Sequence, residues 1–128
     1  MNGVVADTSL WIDLLAGRPA RALEDALRHG IVVVPPLVVA ELISGARGPR
    51  DRASIEELVR ALPLHETPLE HWMRVGNLRR RLAGRGLAVS TADAHVAQCA
   101  IDRGALLLSR DAIFARIAAA SGLRVHSG

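Results

Sequence analysis

Four carboxylates of this chain lie in unusually apolar surroundings, and together they could hold a metal ion. Asp7 and Asp111 each come just after a short apolar run, and Asp93 lies near the start of a helical segment. Glu41 is the only charged residue in the segment 31–46. A carboxylate in such a run must be neutralised, paired or bound to a metal, because an isolated buried charge is costly.

Carboxylates that meet in a folded protein repel one another unless a cation lies among them. Ligand sets made only of oxygen favour Mg²⁺ or Mn²⁺ over zinc, and such a site is typically completed by a phosphate-containing substrate. Each Asp taken alone also suits an ordinary place at a helix N-terminus. Glu41 could equally reach the solvent edge or pair with an arginine. The residues therefore favour a metal site but leave these alternatives open.

Composition excludes several other chemistries. All sixteen basic residues among the 128 are arginine, so no lysine is present to bind a phosphate, form a Schiff base or act as a general base. The single Cys99 excludes an internal disulfide and a cysteine-rich zinc site, and it suits a reducing cytoplasm. The apolar runs are too short to cross a membrane. The three aromatic residues are too few for a base-stacking surface.

The acidic residues need a scaffold, and the hydropathy pattern predicts an α/β fold. We predict strands at 3–6, 31–34, 105–108 and 123–126, with a weaker one at 62–66. We predict helices at 8–16, 20–28, 37–46, 51–61, 69–83, 92–103 and 111–120. Strands that alternate with helices indicate a mainly parallel sheet with helices on both faces, in one domain over residues 1–128. In such sheets, ligands bind beyond the carboxyl ends of the strands.

Four motifs in the expected order make the sequence resemble PIN-domain ribonucleases, and within that family the VapC-type toxins of toxin–antitoxin pairs. The motifs are Val-Val-Ala-Asp7-Thr8-Ser9, Val-Val-Ala-Glu41-Leu42-Ile-Ser-Gly45, Thr91-Ala-Asp93-Ala-His and Leu-Leu-Leu-Ser109-Arg110-Asp111. The resemblance extends over essentially the whole chain. It implies a three-layer PIN-like domain whose sheet has four or five parallel strands.

The resemblance also assigns roles to residues. It implies that Asp7, Glu41, Asp93 and Asp111 form a catalytic cluster that binds Mg²⁺ or Mn²⁺, with Thr8 or Ser9 and Ser109 as supporting hydroxyls. In the expected hydrolysis of RNA, Asp7 and Asp93 bind the main ion directly, and Asp111 helps directly or through water. Glu41 positions water or holds a second ion. The implied partners are an RNA substrate, a cognate VapB-like antitoxin and a second copy of the chain in a homodimer.

A run of arginines without acids could bind the phosphates of RNA. Between His71 and Ala92 there are five arginines, of which we take Arg79, Arg80, Arg81 and Arg85 as candidate substrate-binding residues. The alternative is a solvated helix exterior opposite a buried stripe from Trp72 to Leu82. Without the four clustered acids the rest of the chain carries a charge of about +7, which would steer a polyanion towards the site.

Some residues allow two interpretations. An antitoxin helix could lie in a groove formed by apolar residues of the first and third helices, although core packing explains the same side chains; they are Trp11, Leu14, Leu15, Leu37 and Val38. His95 could touch substrate but better suits a packing or surface role. A non-catalytic PIN-like binding module is the main alternative function. A haloacid-type phosphatase is disfavoured by Ser9 and by the absence of lysine.

Overall fold

The computed structural model describes residues 3–128, so Met1 and Asn2 of the predicted domain lie outside it. Within this range the chain forms three parallel strands separated by helices, seven in all, which confirms the α/β class. The strands are β1 (Val4–Ala6), β2 (Leu106–Leu108) and β3 (Arg124–His126). The helices are α1 (Thr8–Leu15), α2 (Arg21–Arg28), α3 (Pro36–Ser44), α4 (Pro49–Arg60), α5 (Leu69–Ala83), α6 (Thr91–Arg103) and α7 (Ala112–Ala119).

The sheet is parallel, but it has fewer full strands than predicted. β2 lies between β1 and β3, and Leu107 is paired with Val5 on one side and Val125 on the other. The predicted strands at 31–34 and 62–66 are each reduced to isolated bridges, in which Val32 pairs with Val4 and Val34 pairs with Leu64. The expected count of four or five was therefore wrong for the described residues. Prolines directly after Val34 and before Leu64 lack the N–H that a longer ladder needs.

The core is built around β1, β2 and α6. β1 is buried along its whole length, as expected for a parallel strand covered on both faces. α6 contacts both β1 and β2 and packs along α5, and its side chains from Ala94 to Ala100 are all buried. α6 therefore fixes the position of its own N-terminal turn relative to the edge of the sheet.

The buried face of α5 matches the predicted stripe at Val75, Leu78 and Leu82 and differs from it only at the first position. His71, Val75, Leu78 and Leu82 are its buried residues, whereas Trp72 is 37% exposed. His71 occupies the core position because both of its ring nitrogens have polar partners there. Its Nδ1 lies 3.1 Å from the Asp102 carboxylate, and its Nε2 lies 2.8 Å from His95 Nδ1. A buried histidine needs such partners to offset the loss of hydration.

The structure also bears on two predictions about apolar residues, one on a groove for an antitoxin helix and one on membrane-spanning segments. Trp11 is 1% exposed and Val38 is fully buried, so both belong to the core, and Leu14 and Leu15 pack against it. The groove for an antitoxin helix at these residues stays a prediction. No helix within residues 3–128 is both long enough and apolar enough to cross a membrane.

Candidate functional site

Three of the four predicted carboxylates lie at helix N-termini. Asp7, directly after β1, is the N-cap of α1 and accepts a 3.1 Å hydrogen bond from the Leu10 N–H. Asp111 is the N-cap of α7 and accepts from the Ile113 N–H at 3.0 Å. Asp93 lies in the first turn of α6. Free backbone N–H groups and the helix dipole stabilise negative charge at such positions.

The hydroxyl of Ser109 connects two of these acids. Ser109 is 3% exposed, and its Oγ donates a hydrogen bond to the Asp7 carboxylate. The same oxygen accepts a 3.0 Å hydrogen bond from the Asp111 backbone N–H. Asp111, and not Ser109, is the N-cap of α7. Ser109 instead fixes the end of β2 to the end of β1.

Glu41 is exposed, so the structure does not bury its charge within the apolar segment. The alternative in which its side chain reaches the solvent edge of α3 is the observed one. Its Oε1 accepts a 2.6 Å hydrogen bond from Thr8 Oγ1, which joins α3 to the start of α1. Of the two neighbouring hydroxyls, Thr8 therefore contacts the acidic cluster. The Ser9 side chain is exposed, and its hydroxyl forms no hydrogen bond within residues 3–128.

The charges of Asp111, Glu41 and Asp7 all act on Asp93, so the four acids lie in one region of the fold. Burial raises the pKa of Asp7, and the charges of Asp111 and Asp13 add to that shift, while hydrogen bonds from Ser109 and Leu10 oppose it. Burial also raises the pKa of Asp93, and the charges of Asp111, Glu41 and Asp7 add to it. Asp93 thus experiences repulsion from each of the other three carboxylates.

Neighbouring acids are neutralised by arginine, but these four are not. Asp13 pairs with Arg18 and Arg110, each at 2.9 Å, and Asp102 pairs with Arg74 at 3.0 Å. Within the described part of the chain no arginine forms an ion pair with Asp7, Glu41, Asp93 or Asp111. The excess negative charge and the all-oxygen donor set fit a divalent cation such as Mg²⁺ or Mn²⁺.

The four carboxylates lie in one part of the fold, but their oxygens are not close enough together to form a compact metal-binding group. Over residues 3–128, the one group of three or more potential ligands whose atoms lie within 4.8 Å of one another is His65, His71 and Cys99. The oxygens of Asp7 and Asp111 are partly engaged by backbone N–H groups instead. The assignment of individual acids as metal ligands therefore stays a prediction.

The predicted basic face is exposed and extends towards Asp93. Arg79, Arg80, Arg81 and Arg85 all have exposed side chains. Arg79 and Arg80 line a groove that also includes Ser90, the residue that caps α6. Arg79 Nε donates a 2.8 Å hydrogen bond to the Val89 carbonyl, so this arginine also holds the loop before α6.

Sequence reasoning missed the contribution of Ser90. Its Oγ accepts a 3.1 Å hydrogen bond from the Asp93 backbone N–H and so sets where α6 begins. The signal was present, because a serine three residues before an acidic residue at a helix start is typical of a capping box. His95 is fully buried, which places it in the core rather than against a substrate.

Comparison with known proteins relates the chain to one family. The model of the PIN domain family matches residues 4–120. The fold is similar to a chain of the DNA-bound VapBC complex from Salmonella typhimurium, with 25% identity, a TM-score of 0.81 and 98% of each chain covered. VapBC-5 from Mycobacterium tuberculosis is 25% identical with a TM-score of 0.69, over 97% of this chain and 96% of that one.

A third solved structure shares the fold at lower identity. VapBC2 from Rickettsia felis, bound to a DNA fragment of its promoter, is 19% identical with a TM-score of 0.77 and 98% of each chain covered. No curated protein sequence is significantly similar to the chain. Since the family model spans most of the sequence, from β1 to the end of α7, the chain belongs to the PIN domain family.

Proposed function

We propose that this chain is a single PIN domain that acts as a metal-dependent endoribonuclease, the toxin component of a type II toxin–antitoxin system. The observation that carries the proposal is the group of four unneutralised carboxylates beyond the ends of β1 and β2, where Asp93 is repelled by the other three. A protein that binds RNA without cleaving it has no need for such a group. The similarity to chains of VapBC complexes supports the toxin assignment.

The donor set suits the cation that this chemistry requires. Asp7, Asp93 and Asp111 would hold Mg²⁺ or Mn²⁺, with Glu41 at the edge of the same region. When bound, the ion would stabilise the negative charge that develops on the phosphodiester and would make water a stronger nucleophile. The basic surroundings of this acidic region would favour the approach of RNA.

The chain's own residues hold this arrangement in place. Ser109 fixes the Asp7 carboxylate while it also binds the Asp111 backbone. Thr8 holds Glu41 Oε1, which leaves Oε2 available to orient a water molecule or to accept its proton. Asp7 follows β1 and Ser109 follows β2, so the sheet sets the spacing of Asp7 and Asp111, whereas α3 and α6 position Glu41 and Asp93.

Removal of divalent cations tests the proposed function. We expect the purified chain to cleave RNA in Mg²⁺ or Mn²⁺, to lose all measurable cleavage in a chelator and to regain it when either ion is restored. Mg²⁺ should also raise the melting temperature, because an ion that binds only the folded state stabilises it. RNA binding without cleavage under every metal condition would identify a non-catalytic binding module instead.

The arginine face gives a second prediction. The double substitution Arg80→Ala/Arg81→Ala should weaken RNA binding by about 3–10-fold. The slope of log K against the logarithm of salt concentration should become shallower by about 1.4, since each lost phosphate contact removes about 0.7 from it. Fluorescence anisotropy on a cleavage-deficient background measures both quantities. The control is Arg21→Ala/Arg50→Ala, which removes equal charge from exposed positions on α2 and α4. Equal losses in the two pairs would contradict a specific RNA face.

The proposed protein partner is a VapB-like antitoxin. A largely apolar surface available to it is a groove between α3 and α4, lined by Val39, Ile43, Val59, Leu62 and Leu64 together with the charged residues Glu56 and Arg60. Leu64 is 52% exposed, which is high for a large apolar side chain. The homodimer expected from the resemblance stays a prediction.

A further inference from the structure

A second group of potential metal ligands lies inside the fold, apart from the carboxylates. His65 belongs to the segment between α4 and α5, His71 to α5 and Cys99 to α6. All three are buried, and their ligand atoms lie within 4.8 Å of one another. Imidazole and thiolate donors bind Zn²⁺ and related ions, whereas Mg²⁺ prefers oxygen.

The orientation of the His71 imidazole is suited to binding a metal ion. Its Nδ1 lies 3.1 Å from Asp102 Oδ2, and Asp102 also accepts hydrogen bonds from Arg74 and Gln98. Because Arg74 and Gln98 both donate to Asp102, this side chain is the hydrogen-bond acceptor, and the N–H of His71 at Nδ1 donates to it. The lone pair of His71 is then on Nε2. A carboxylate behind the imidazole is the usual arrangement for a metal-binding histidine.

His65 supplies an unsatisfied polar atom. The residue is 8% exposed, and its Nδ1 is buried without a hydrogen-bond partner in the described part of the chain. Buried polar atoms of folded proteins are nearly always paired, since an unpaired one loses its hydration without compensation. Coordination of an ion through Nδ1 would satisfy this nitrogen.

Cys99 completes the donor set. Its side chain is fully buried, and its Sγ lies within 4.8 Å of the ligand atoms of His65 and His71. His95 lies beside it, with Nε2 3.7 Å from Sγ. His95 also bonds His71 Nε2 through its Nδ1 at 2.8 Å, and this bond must give way when His71 binds an ion.

We propose that His65, His71 and Cys99 form a binding site for Zn²⁺ or a cation of the same class. Binding replaces the S–H bond of Cys99 with a sulfur–metal bond and releases one proton to solvent, with no change of oxidation state. The ion joins the segment before α5 to α5 and α6. It therefore stabilises the helix pair that positions Asp93, and it does so whether or not the chain cleaves RNA.

Cobalt and zinc titrations of the chelator-treated, reduced protein test this site. We expect one Co²⁺ per chain to produce a thiolate-to-cobalt charge-transfer band, and Zn²⁺ to remove that band by displacing cobalt. Zn²⁺ should also raise the melting temperature. Cys99→Ser should abolish the band and lower Zn²⁺ affinity at least about 100-fold, since even residues behind the ligands contribute 10–100-fold.

Matched variants separate this site from other metal-binding groups. His65→Gln should fold, because the Nδ1 of His65 has no hydrogen-bond partner to lose in the described part of the chain. It should weaken Zn²⁺ binding in the same way as Cys99→Ser. His29→Gln changes an exposed histidine and should alter nothing. Asp93→Asn should keep the charge-transfer band, which carboxylates cannot produce. A missing band in the unsubstituted protein, or equal Zn²⁺ affinity in His65→Gln and the unsubstituted protein, overturns the proposal.

Discussion

We expect Asp93→Asn to reduce RNA cleavage by at least about 100-fold, because the variant keeps the shape of the side chain and loses the charge that would bind the cation. In the structure Asp93 is the carboxylate that experiences the charges of Asp111, Glu41 and Asp7 together. Removing it leaves three acids at the same edge of the sheet. The Mg²⁺-dependent rise in melting temperature should shrink with the activity.

The same substitution should leave the protein folded. The raised pKa of Asp93 means that its ionised form is disfavoured in the folded state, so a neutral side chain relieves repulsion. The favourable interaction of an acid with the helix N-terminus, about 0.3–1 kcal/mol, acts in the opposite direction. The free energy of unfolding should therefore change by less than about 1 kcal/mol, as measured by denaturant titration.

Asp51 provides a matched control for Asp93. It also lies in the first turn of a helix, α4, and there its side chain accepts a hydrogen bond from the Arg47 N–H. Asp51→Asn should keep full cleavage activity. If Asp93→Asn were as active as Asp51→Asn, the carboxylate region would not be the active site.

Ser109→Ala should have the second-largest effect. Loss of the hydroxyl should lower activity by about 10–100-fold, the usual range for a group that holds a metal ligand in position. It should also lower the free energy of unfolding by about 1.5–3 kcal/mol, because the hydrogen bond to Asp7 is buried and charge-assisted.

The pH profile distinguishes this positioning role from simple destabilisation. The hydrogen bond from Ser109 is one of the contacts that lower the pKa of Asp7 against the effect of burial. Without it the pKa of Asp7 rises further, so the carboxylate protonates at higher pH. The acid side of the activity profile should then move to higher pH in Ser109→Ala, and Ser109→Thr should restore it by returning a hydroxyl.

Ser121 gives a close structural control. Its Oγ donates to the Ile117 carbonyl at 2.7 Å and accepts from the Leu123 N–H, two residues ahead, as Ser109 does from Asp111. Ser121→Ala should lose stability but keep the pH profile of the unsubstituted protein. An identical profile in Ser109→Ala would contradict the positioning role.

The sequence was sufficient to predict the order of the elements and the edge where the acids lie. Asp7 and Asp111 follow strands that are parallel, and parallel strands end at the same edge of a sheet. Seven helical segments were predicted within a few residues of their observed bounds, since periodic apolar residues and flanking prolines and glycines are local signals. Strand number was less predictable, because the two outer runs pair through single bridges only.

Side-chain contacts between distant segments could not be predicted. Whether Glu41 faced the core or solvent depended on how α3 is rotated against α1, and Thr8 holds it at the exposed edge. His71 and Trp72 are adjacent, and hydropathy favoured Trp72 for the core. His71 occupies the core position because its Nδ1 hydrogen-bonds to Asp102, which lies 31 residues away in the chain.

The sequence by itself thus determined that acids would gather beyond a parallel sheet, in a basic chain without lysine. Only the tertiary structure decided that Ser109 bonds Asp7, that no arginine within residues 3–128 pairs with the four acids, and that His65 and Cys99 meet. The physical reason is the distance along the chain over which each kind of interaction acts. Helix and strand signals act over a few residues, whereas these contacts depend on how separate elements pack against one another.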